Sequence, residues 1–502
     1  MKERSVWRPA LIMLIAFGLR MIALNVRPLW YDEAFAMLYA EKSPGAILSG
    51  TLVQVQGAAA DVHPLFYYFT LHAWMGLFGQ SVVATRMLSV LFGMGTVIAA
   101  WGLARELFDD RVARWVAVFT AASPFLIAYS QETRMYALLG FWSLCALWAF
   151  VRAARTNSLR AWAAFAICGA LTFYSHNLGF LTFAALGLLV VVRAALKRDR
   201  QAWRLVGKTA LAGLVMSLLF LPWLVAVPSQ FGKIQQAYWV PRPDLKTLVQ
   251  TLIVFSFDFE NAIFPSALIA PALFGAVLLL VVVIVGCVRR PPADKERERF
   301  GVWLLAALAL APVAALFLIS QWRPVYIIRG LLPAAVCYLI LAAWAVARMP
   351  RVACYALRVI LAALVAVVLV SYYRYDGFPR VPTELTAMLR EQIKPGDVIV
   401  HSNKLTFFPA YVYDRTLPQV FIGDPPGSGS DTLARPTQEA LGLFPTNLEE
   451  ATVGKSRVWL IIFQQAVTEA GGVHPHLTWL GARFKSEQTF HFGDVAVVLF
   501  TR

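Results

Sequence analysis

Two adjacent carboxylates, Asp32 and Glu33, follow the first long apolar segment of the chain, in the run WYDEAF. Acidic side chains at a membrane boundary are costly to desolvate, so they mark a functional site unless they are solvated loop residues. The solvated alternative is equally compatible with their position alone. We take Asp32 as the residue that carries the chemistry, with Glu33 as the second choice.

Three further polar clusters fall on the same side of the membrane under the topology argued below. They are Asp61-Val62-His63-Pro64, SQETRMYAL (130–138) and QWRPVYIIR (321–329). In the second cluster, Glu132 and Tyr136 are four residues apart and would share one face of a helix.

Three arginines of these clusters, Arg134, Arg323 and Arg329, are on the outer side, where arginine is disfavoured without a partner. An anionic ligand is one explanation, because the guanidinium fork is suited to phosphate. The alternative is that they snorkel or pair with carboxylates of this chain. The candidate carboxylates are Glu132, Asp258 and Glu260.

A divalent metal is the one cofactor that these clusters could hold. Asp61 and His63 could ligate it together with Asp32 or Glu33. Two or three scattered oxygen and nitrogen ligands are few for such a site. A helix-capping Asp61 and a hydrogen-bonded His63 would explain the pattern equally well.

The composition excludes a soluble globular protein, because 59% of the 502 residues are hydrophobic and 15% are charged. The net charge of +16 would suit nucleic-acid binding. However, the basic residues lie in short clusters between apolar spans, as the positive-inside rule expects of a multispanning protein. We therefore predict a polytopic α-helical membrane protein that does not bind nucleic acid.

About eleven segments approach the roughly 20 apolar residues that cross a bilayer. With the N-terminus in the cytoplasm, the Arg- and Lys-rich loops all become cytoplasmic. The stretch 63–77 is short for a span, so we predict an interfacial helix there, within an outer loop at 27–81. The predicted spans are 9–26, 82–104, 112–129, 135–151, 161–177, 179–195, 205–225, 264–288, 300–320, 330–347 and 355–373.

Residues 374–502 have ordinary polarity and alternate between strand and helix patterns, which predicts a small soluble α/β domain after a transmembrane domain at 1–373. Segments 397–402 and 457–463 are predicted buried strands, and a hairpin is predicted around Gly493-Asp494. Helices are predicted at 382–393 and 403–414. An odd number of spans places this domain in the periplasm.

The four clusters, in this order, resemble motifs of the GT-C membrane glycosyltransferases. The resemblance is to the bacterial branch related to protein O-mannosyltransferases and to the aminoarabinose transferase of lipid A. The matching runs are YDE (31–33), DVHPLFYY (61–68), SQETRMYAL (130–138) and VYIIRGLLPA (325–334). The chain departs from the family pattern at Leu65, where a second proline is usual, and at Ile327-Ile328.

The resemblance implies an inverting glycosyltransferase of the bacterial inner membrane. It would move a sugar from a polyprenyl-phosphate donor to a periplasmic glycolipid, polysaccharide or protein. Such a transfer needs a base for the acceptor hydroxyl and cations for the departing phosphate. The implied base is Asp32, with Glu33 as second choice or support. The implied substrate-binding residues are Asp61, His63, Glu132, Arg134, Tyr136, Tyr326 and Arg329. The alternative function is a transporter or flippase of a lipid-linked or sugar substrate.

Overall fold

The computed structural model describes residues 7–55, 58–236, 240–258, 266–289, 295–374, 380–428 and 430–502. Glu260, one of the carboxylates considered as an arginine partner, lies outside these residues. The first 374 residues are mainly helical, and the remainder mixes strands with short helices. The helices of the first part are α1 Trp7–Met21, α2 Tyr31–Ala40, α3 Pro44–Leu52, α4 Phe66–Phe78, α5 Val82–Leu107, α6 Asp110–Ala122, α7 Pro124–Ser130, α8 Tyr136–Thr156, α9 Leu159–Ser175, α10 Phe180–Lys197, α11 Arg200–Leu224, α12 Val227–Gln236, α13 Leu245–Phe257, α14 Ser266–Val288, α15 Glu296–Trp322, α16 Leu332–Arg348 and α17 Arg351–Arg374.

Eight helices of the described part are long and apolar enough to cross a membrane, and the bent pair α6–α7 would be a ninth. Each of the eleven predicted spans falls on one of these helices or on the shorter α1 and α9. The chain is therefore a multi-pass membrane protein, whereas the crossing of α1 and α9 stays a prediction. The sequence pattern missed α13, which has only 13 residues.

The span α6–α7 bends by 57° at Ser123-Pro124. Proline has no amide hydrogen, so carbonyl groups of the preceding turn lose their helical partners. Arg20 of α1, which is fully buried, donates to the carbonyl oxygens of Thr120 and Ala121 at 3.3 and 3.1 Å. It also donates to the Ser130 hydroxyl at 3.1 Å. This arginine therefore holds both the bend at Ser123-Pro124 and the end of α7, after which residues 131–135 form a non-helical segment.

The outer loop between α1 and α5 contains α2, α3, the two-residue strands β1 (Gln54–Val55) and β2 (Ala58–Ala59), and α4. The predicted interfacial helix at 63–77 corresponds to α4. One of its faces is buried, with Tyr67, Tyr68, Leu71 and Met75 inside, whereas Leu77 is 78% exposed. One buried face is expected both of an interfacial helix and of a spanning helix at the edge of a bundle, so the interfacial position of α4 stays a prediction.

The C-terminal region forms the predicted α/β unit around a five-stranded sheet of order β4-β3-β5-β7-β6. β3 pairs in parallel with β4 and β5, and the remaining pairs are antiparallel. The predicted hairpin is β6–β7, and Gly493 in its turn has φ +61°, a conformation that favours glycine. The elements are α18 Thr383–Gln392, β3 Val398–His401, α19 Lys404–Tyr413, β4 Gln419–Phe421, α20 Arg435–Leu441, α21 Leu448–Thr452, β5 Arg457–Phe463, α22 Gln464–Glu469, α23 Pro475–Gly481, β6 Lys485–Phe492 and β7 Val495–Thr501.

This C-terminal unit is docked on the outer loop through several contacts, two of which lie at the end of α2 and near α3. Arg415 forms an ion pair with Glu41 at the end of α2, at 2.8 Å. Near α3, the Thr437 hydroxyl donates to the Gly50 carbonyl at 2.7 Å. A Cβ at position 50 would lie 2.6 Å from Ala440 Cβ, so only glycine allows this close approach. The outer loop is therefore held between the membrane helices and the C-terminal unit.

Candidate active site

The first turn of α2 carries both predicted carboxylates. Trp30 precedes the helix in an extended conformation, and Asp32 and Glu33 follow within the first turn. Carboxylates are stabilised there by the helix dipole. The Asp32 side chain is 20% exposed, whereas that of Glu33 is completely buried. Only Asp32 is therefore accessible to a substrate.

Glu33 is bound on both carboxylate oxygens. Arg86 of α5 donates Nε to Oε1 and Nη2 to Oε2, both at 2.8 Å. The backbone amide of Thr133 donates to Oε1 at 3.0 Å, and Arg380 Nη1 lies 3.6 Å from Oε2. Burial opposes ionisation, but these groups hold the pKa of Glu33 below its usual value. The arrangement suits an anchor better than a proton acceptor.

Two of the predicted phosphate-binding arginines converge on Asp32. Arg134 Nη2 lies 3.5 Å and Arg329 Nη2 lies 3.7 Å from the same oxygen, Oδ2. Both guanidinium groups are at least nine-tenths buried. In addition, Arg134 Nε is buried without a hydrogen-bond partner among the described residues. The site therefore has two guanidinium groups beside one carboxylate, a pattern suited to an anionic ligand.

The motif at 61–64 reaches the same arginine. Arg134 Nη2 lies 3.4 Å from His63 Nε2, and His63 Nδ1 lies 2.8 Å from Asp61 Oδ1. A guanidinium has only hydrogen-bond donors, so His63 Nε2 accepts from Arg134, and His63 Nδ1–H donates to Asp61. Burial opposes ionisation of Asp61, yet His63 and the Val62 amide keep its pKa below the usual value. Asp61, His63, Arg134 and Asp32 thus form one continuous polar chain.

The described residues contain no group of three His, Cys, Asp or Glu side chains close enough to hold a metal ion. The four predicted metal ligands, Asp32, Glu33, Asp61 and His63, make ion pairs and hydrogen bonds with other side chains instead. Glu33 is occupied by arginines, and Asp61 is paired with His63. These contacts give no support to a metal site built from these residues.

Aromatic rings line the other side of Arg329. Its guanidinium carbon lies 5.4 Å from the ring centroid of Tyr136 and 5.5 Å from that of Trp30, within the range of cation–π contacts. The Tyr136 ring in turn lies 5.7 Å from that of His176. Burial, with His63, Arg329 and Arg134 nearby, lowers the pKa of His176 to about 3. His176 is therefore neutral near pH 7.

Glu132 does not share a helix face with Tyr136, because α8 begins only at Tyr136 and Glu132 lies in the preceding bend. Glu132 is buried, and its Oε2 atom has no hydrogen-bond partner among the described residues. Burial, with Glu33 nearby, raises its pKa to about 6. Burial, with Glu132 nearby, raises the pKa of Asp258 to about 7. These two carboxyls repel each other electrostatically and are called the acidic pair below.

Two residues of the cluster at 321–329, Arg323 and Tyr326, lie away from Asp32. The hydroxyl of the predicted substrate-binding Tyr326 lies 2.9 Å from the Thr251 hydroxyl of α13, and its ring contacts Phe317. Arg323 is exposed at the end of α15. Among the described residues, neither of these two has a contact that connects it to Asp32.

The sequence patterns missed the arginines that support the site. Arg86 and Arg20 each lie within an apolar span, and an intramembrane arginine is itself a signal for function. Arg380 lies in the C-terminal region, where a lone arginine carries no such signal. Only its position beside Glu33 reveals it.

The whole chain has the GT-C fold of membrane glycosyltransferases. The crystal structure of ArnT from Cupriavidus metallidurans bound to undecaprenyl phosphate matches it with a TM-score of 0.63, covering 99% of this chain and 98% of ArnT at 15% identity. This likeness confirms the predicted fold class: a polytopic helical membrane protein with a small C-terminal α/β unit.

Sequence comparison points in the same direction. The family model described as Dolichyl-phosphate-mannose-protein mannosyltransferase matches residues 62–225. One relative is the undecaprenyl phosphate-alpha-4-amino-4-deoxy-L-arabinose arabinosyl transferase of Pseudomonas aeruginosa strain UCBPP-PA14. It is 29% identical to this chain over a region that covers 67% of this chain and 59% of the length of the relative. That of Pseudomonas paraeruginosa strain PA7 is 30% identical over 48% of this chain and 43% of its own. The chain thus spans about half the length of these relatives, and the resemblance read from the motifs is confirmed.

Proposed function

We propose that this protein is an inverting glycosyltransferase that uses a polyprenyl-phosphate-linked sugar as donor. The observation that carries the proposal is the accessible Asp32 carboxylate with Arg134 at 3.5 Å and Arg329 at 3.7 Å. A base and two phosphate-binding cations are the groups that such a transfer needs. The relatives and the matching family are named as transferases that use polyprenyl-phosphate sugars, and these names support the same donor class.

In the proposed reaction, Asp32 takes the proton of the acceptor hydroxyl. The acceptor oxygen forms a bond to the anomeric carbon, while the bond from that carbon to the phosphate oxygen breaks. The electron pair leaves on the phosphate, which Arg134 and Arg329 stabilise. Tyr136 and Trp30 orient Arg329 through their ring faces. Inversion follows because acceptor and phosphate lie on opposite sides of the anomeric carbon.

We further propose that the site faces the periplasm, where a lipid-linked donor replaces nucleotide sugars. The N-terminus would be in the cytoplasm of a bacterium, with the protein in the inner membrane. The transmembrane domain would comprise residues 1–373, and residues 374–502 would form the periplasmic domain. Acceptors on this side are glycolipids, polysaccharides or proteins.

The test is transfer by the purified protein from undecaprenyl-phosphate-linked aminoarabinose and, separately, mannose, with an envelope-lipid extract as acceptor. Released undecaprenyl phosphate is measured by mass spectrometry. Asp32→Asn should lower the rate by about 10²–10⁴-fold, the usual contribution of a general base. A residual rate above about a tenth of wild type would reject Asp32 as the base.

Glu41→Gln is the matched control, because Glu41 is a carboxylate at the far end of the same helix and pairs with Arg415. It should leave the rate within about twofold of wild type, since a partly exposed ion pair contributes little. A transporter would instead move the donor across vesicles without releasing free undecaprenyl phosphate. That result would overturn the proposed function.

A further inference from the structure

Arg380, at the start of the C-terminal domain, lies beside Glu33, the neighbour of Asp32 in α2. We propose that Arg380 is a positioning residue, which fixes Glu33 and the segment before α2 and thereby sets the orientation of Asp32. This inference rests on the proposed role of Asp32 in glycosyl transfer. It gives the C-terminal domain a part in the active site itself.

Arg380 joins the two domains at a buried position. Its side chain is 2% exposed, and Nη1 lies 3.6 Å from Glu33 Oε2. The same Nη1 donates to the Pro28 carbonyl oxygen at 2.7 Å. Beside it, Leu29 and Val381 form an antiparallel bridge. The arginine therefore binds both the start and the first turn of the segment that carries Asp32.

Other C-terminal residues contact the same short segment. The Leu29 amide donates to the Tyr413 hydroxyl at 2.5 Å. The ring of Phe408 from α19 packs edge-on against Tyr31 with centroids 5.3 Å apart. The C-terminal domain thus contacts the residues on both sides of Trp30. A rotation of the first turn of α2 would break several of these contacts together.

The membrane helices supply the opposing contacts. Arg86 binds both oxygens of Glu33 and donates to the carbonyls of Leu24 and Arg27 at 2.8 and 2.9 Å. Glu33 therefore lies between a guanidinium from α5 and one from the C-terminal domain. Removing one partner of a buried ion pair leaves charge poorly compensated, so the carboxylate would shift.

A shift of Glu33 would displace both the proposed base, Asp32, and a phosphate-binding cation, Arg134. Asp32 is its immediate neighbour in the helix. Through Oε1, Glu33 also accepts the amide of Thr133, which precedes Arg134. The base and one phosphate-binding cation are thus both held relative to Glu33. Displacements of about 1 Å in a reacting geometry can cost about 10²-fold in rate.

The experiment compares Arg380→Gln, Glu33→Gln and the double variant in full-length protein, using the transfer assay above. Each single variant should lower kcat at least about tenfold, with the donor KM within about threefold of wild type. The kcat of the double variant should lie within about threefold of that of the slower single variant. The two losses should not multiply, because Arg380 acts through Glu33. Arg380→Lys should recover part of kcat, since it keeps the charge but not the fork.

Arg415→Gln is the control, because Arg415 also joins the domains but binds Glu41 at the other end of α2. Its kcat should stay within about twofold of wild type. Hydrogen–deuterium exchange gives a readout without activity: Arg380→Gln should speed exchange in 27–37, and Arg415→Gln should not. If Arg380→Gln does not fold, Arg380→Lys takes its place in both measurements.

Three results would overturn the inference: unchanged kcat and exchange in Arg380→Gln, independent losses in the double variant, or equal loss in Arg415→Gln. Failure of the proposed function looks different. Wild-type protein would then release no undecaprenyl phosphate, while the exchange difference between Arg380→Gln and Arg415→Gln would persist. That difference would still show that Arg380 positions the first turn of α2.

Discussion

Asp32 and Glu33 are neighbours of the same chemical type, yet their surroundings give them different roles. Successive residues of an α-helix point about 100° apart, so adjacent side chains face different neighbours. Glu33 points to Arg86 and is fully buried, whereas Asp32 remains partly exposed beside Arg134 and Arg329. We therefore keep Asp32 as the base and assign Glu33 a supporting role.

At this residue scale, Arg134→Ala should raise the apparent dissociation constant for undecaprenyl phosphate by roughly tenfold or more. This is the scale of a lost charge-assisted hydrogen bond, about 1.5–3 kcal/mol. Arg134→Lys should weaken binding less, because it keeps the charge but loses the fork. Binding can be measured by titration in detergent, followed by native mass spectrometry.

Arg323→Ala is the matched control, because Arg323 is predicted on the same side of the membrane but is exposed. It should bind undecaprenyl phosphate like wild type. Unaltered donor binding in Arg134→Ala, together with a weakened acceptor, would move Arg134 to the acceptor side of the site.

The acidic pair predicts how stability depends on pH. Burial raises the pKa of Asp258 from 3.8 to about 7, so folding favours its protonated form. Its stabilising contribution is therefore full below about pH 4 and is lost as the pH rises to about 7. Glu132, with a pKa of about 6, acts in the same direction, and Arg27 opposes both shifts.

Asp258→Asn should therefore raise the melting temperature at pH 8 by a few degrees and leave it nearly unchanged at pH 4. Thermal unfolding in detergent across this pH range measures the effect. Asp110→Asn, which removes a half-exposed carboxylate, should give parallel curves for variant and wild type. An equal change of melting temperature at both pH values would contradict the shifted pKa of Asp258.

At the scale of elements, the bend between α6 and α7 determines where the motif at 130–138 begins. Its free carbonyl groups are satisfied from another helix by Arg20, which also binds Ser130. Gln131 adds a second connection, because its side-chain amide donates to the Arg20 carbonyl at 2.9 Å. The end of α1 and the loop that carries Arg134 are thus fixed to each other.

Arg20→Met should consequently destabilise the protein, by about 1–3 kcal/mol for each buried acceptor that is left without a donor. Arg105→Met is the control, since the Arg105–Asp110 pair is exposed and worth about 0–1 kcal/mol. Thermal unfolding and gel filtration in detergent distinguish the two variants. Equal melting temperatures for both would show that Arg20 does not stabilise the bend.

At the scale of the whole molecule, the proposed orientation makes a prediction of its own. A reporter fused after Arg502 should be active only in the periplasm. One inserted directly after Arg289 should be active only in the cytoplasm, as the positive-inside rule requires. If both fusions report the same side, the number of crossings after Arg289 is wrong, and α15, α16 and α17 are the helices to reconsider. If each fusion reports the side opposite to its prediction, the number of crossings before Arg289 is wrong, and α1 and α9 are the first helices to reconsider.

The distribution of charge also separates the rival functions at this scale. A transporter would carry charged groups along a path and broken helices in two related halves. Here Asp32, Asp61, Arg134 and Arg329 lie in one connected cluster. This favours chemistry at one surface over passage through the membrane.

Local sequence patterns were enough to predict the helical membrane class and the C-terminal sheet, and they set the order of the motifs. Hydrophobic runs long enough for a bilayer and alternating β-patterns are local properties, so they can be read without contacts between distant residues. The resemblance likewise rested on contiguous runs such as SQETRMYAL. The structure places Asp32, His63, Arg134 and Arg329 of these runs in contact with one another, and their roles stay proposals.

The different surroundings of the site residues, on which their proposed roles rest, depend on contacts between distant segments. Glu33 became an anchor because Arg86 and Arg380, distant in sequence, both reach it, and Tyr326 lies apart because its hydroxyl contacts Thr251. Glu132 left the predicted helix face because the chain bends before α8 begins. Burial and ion pairing depend on which distant segments meet, and no local pattern encodes that choice.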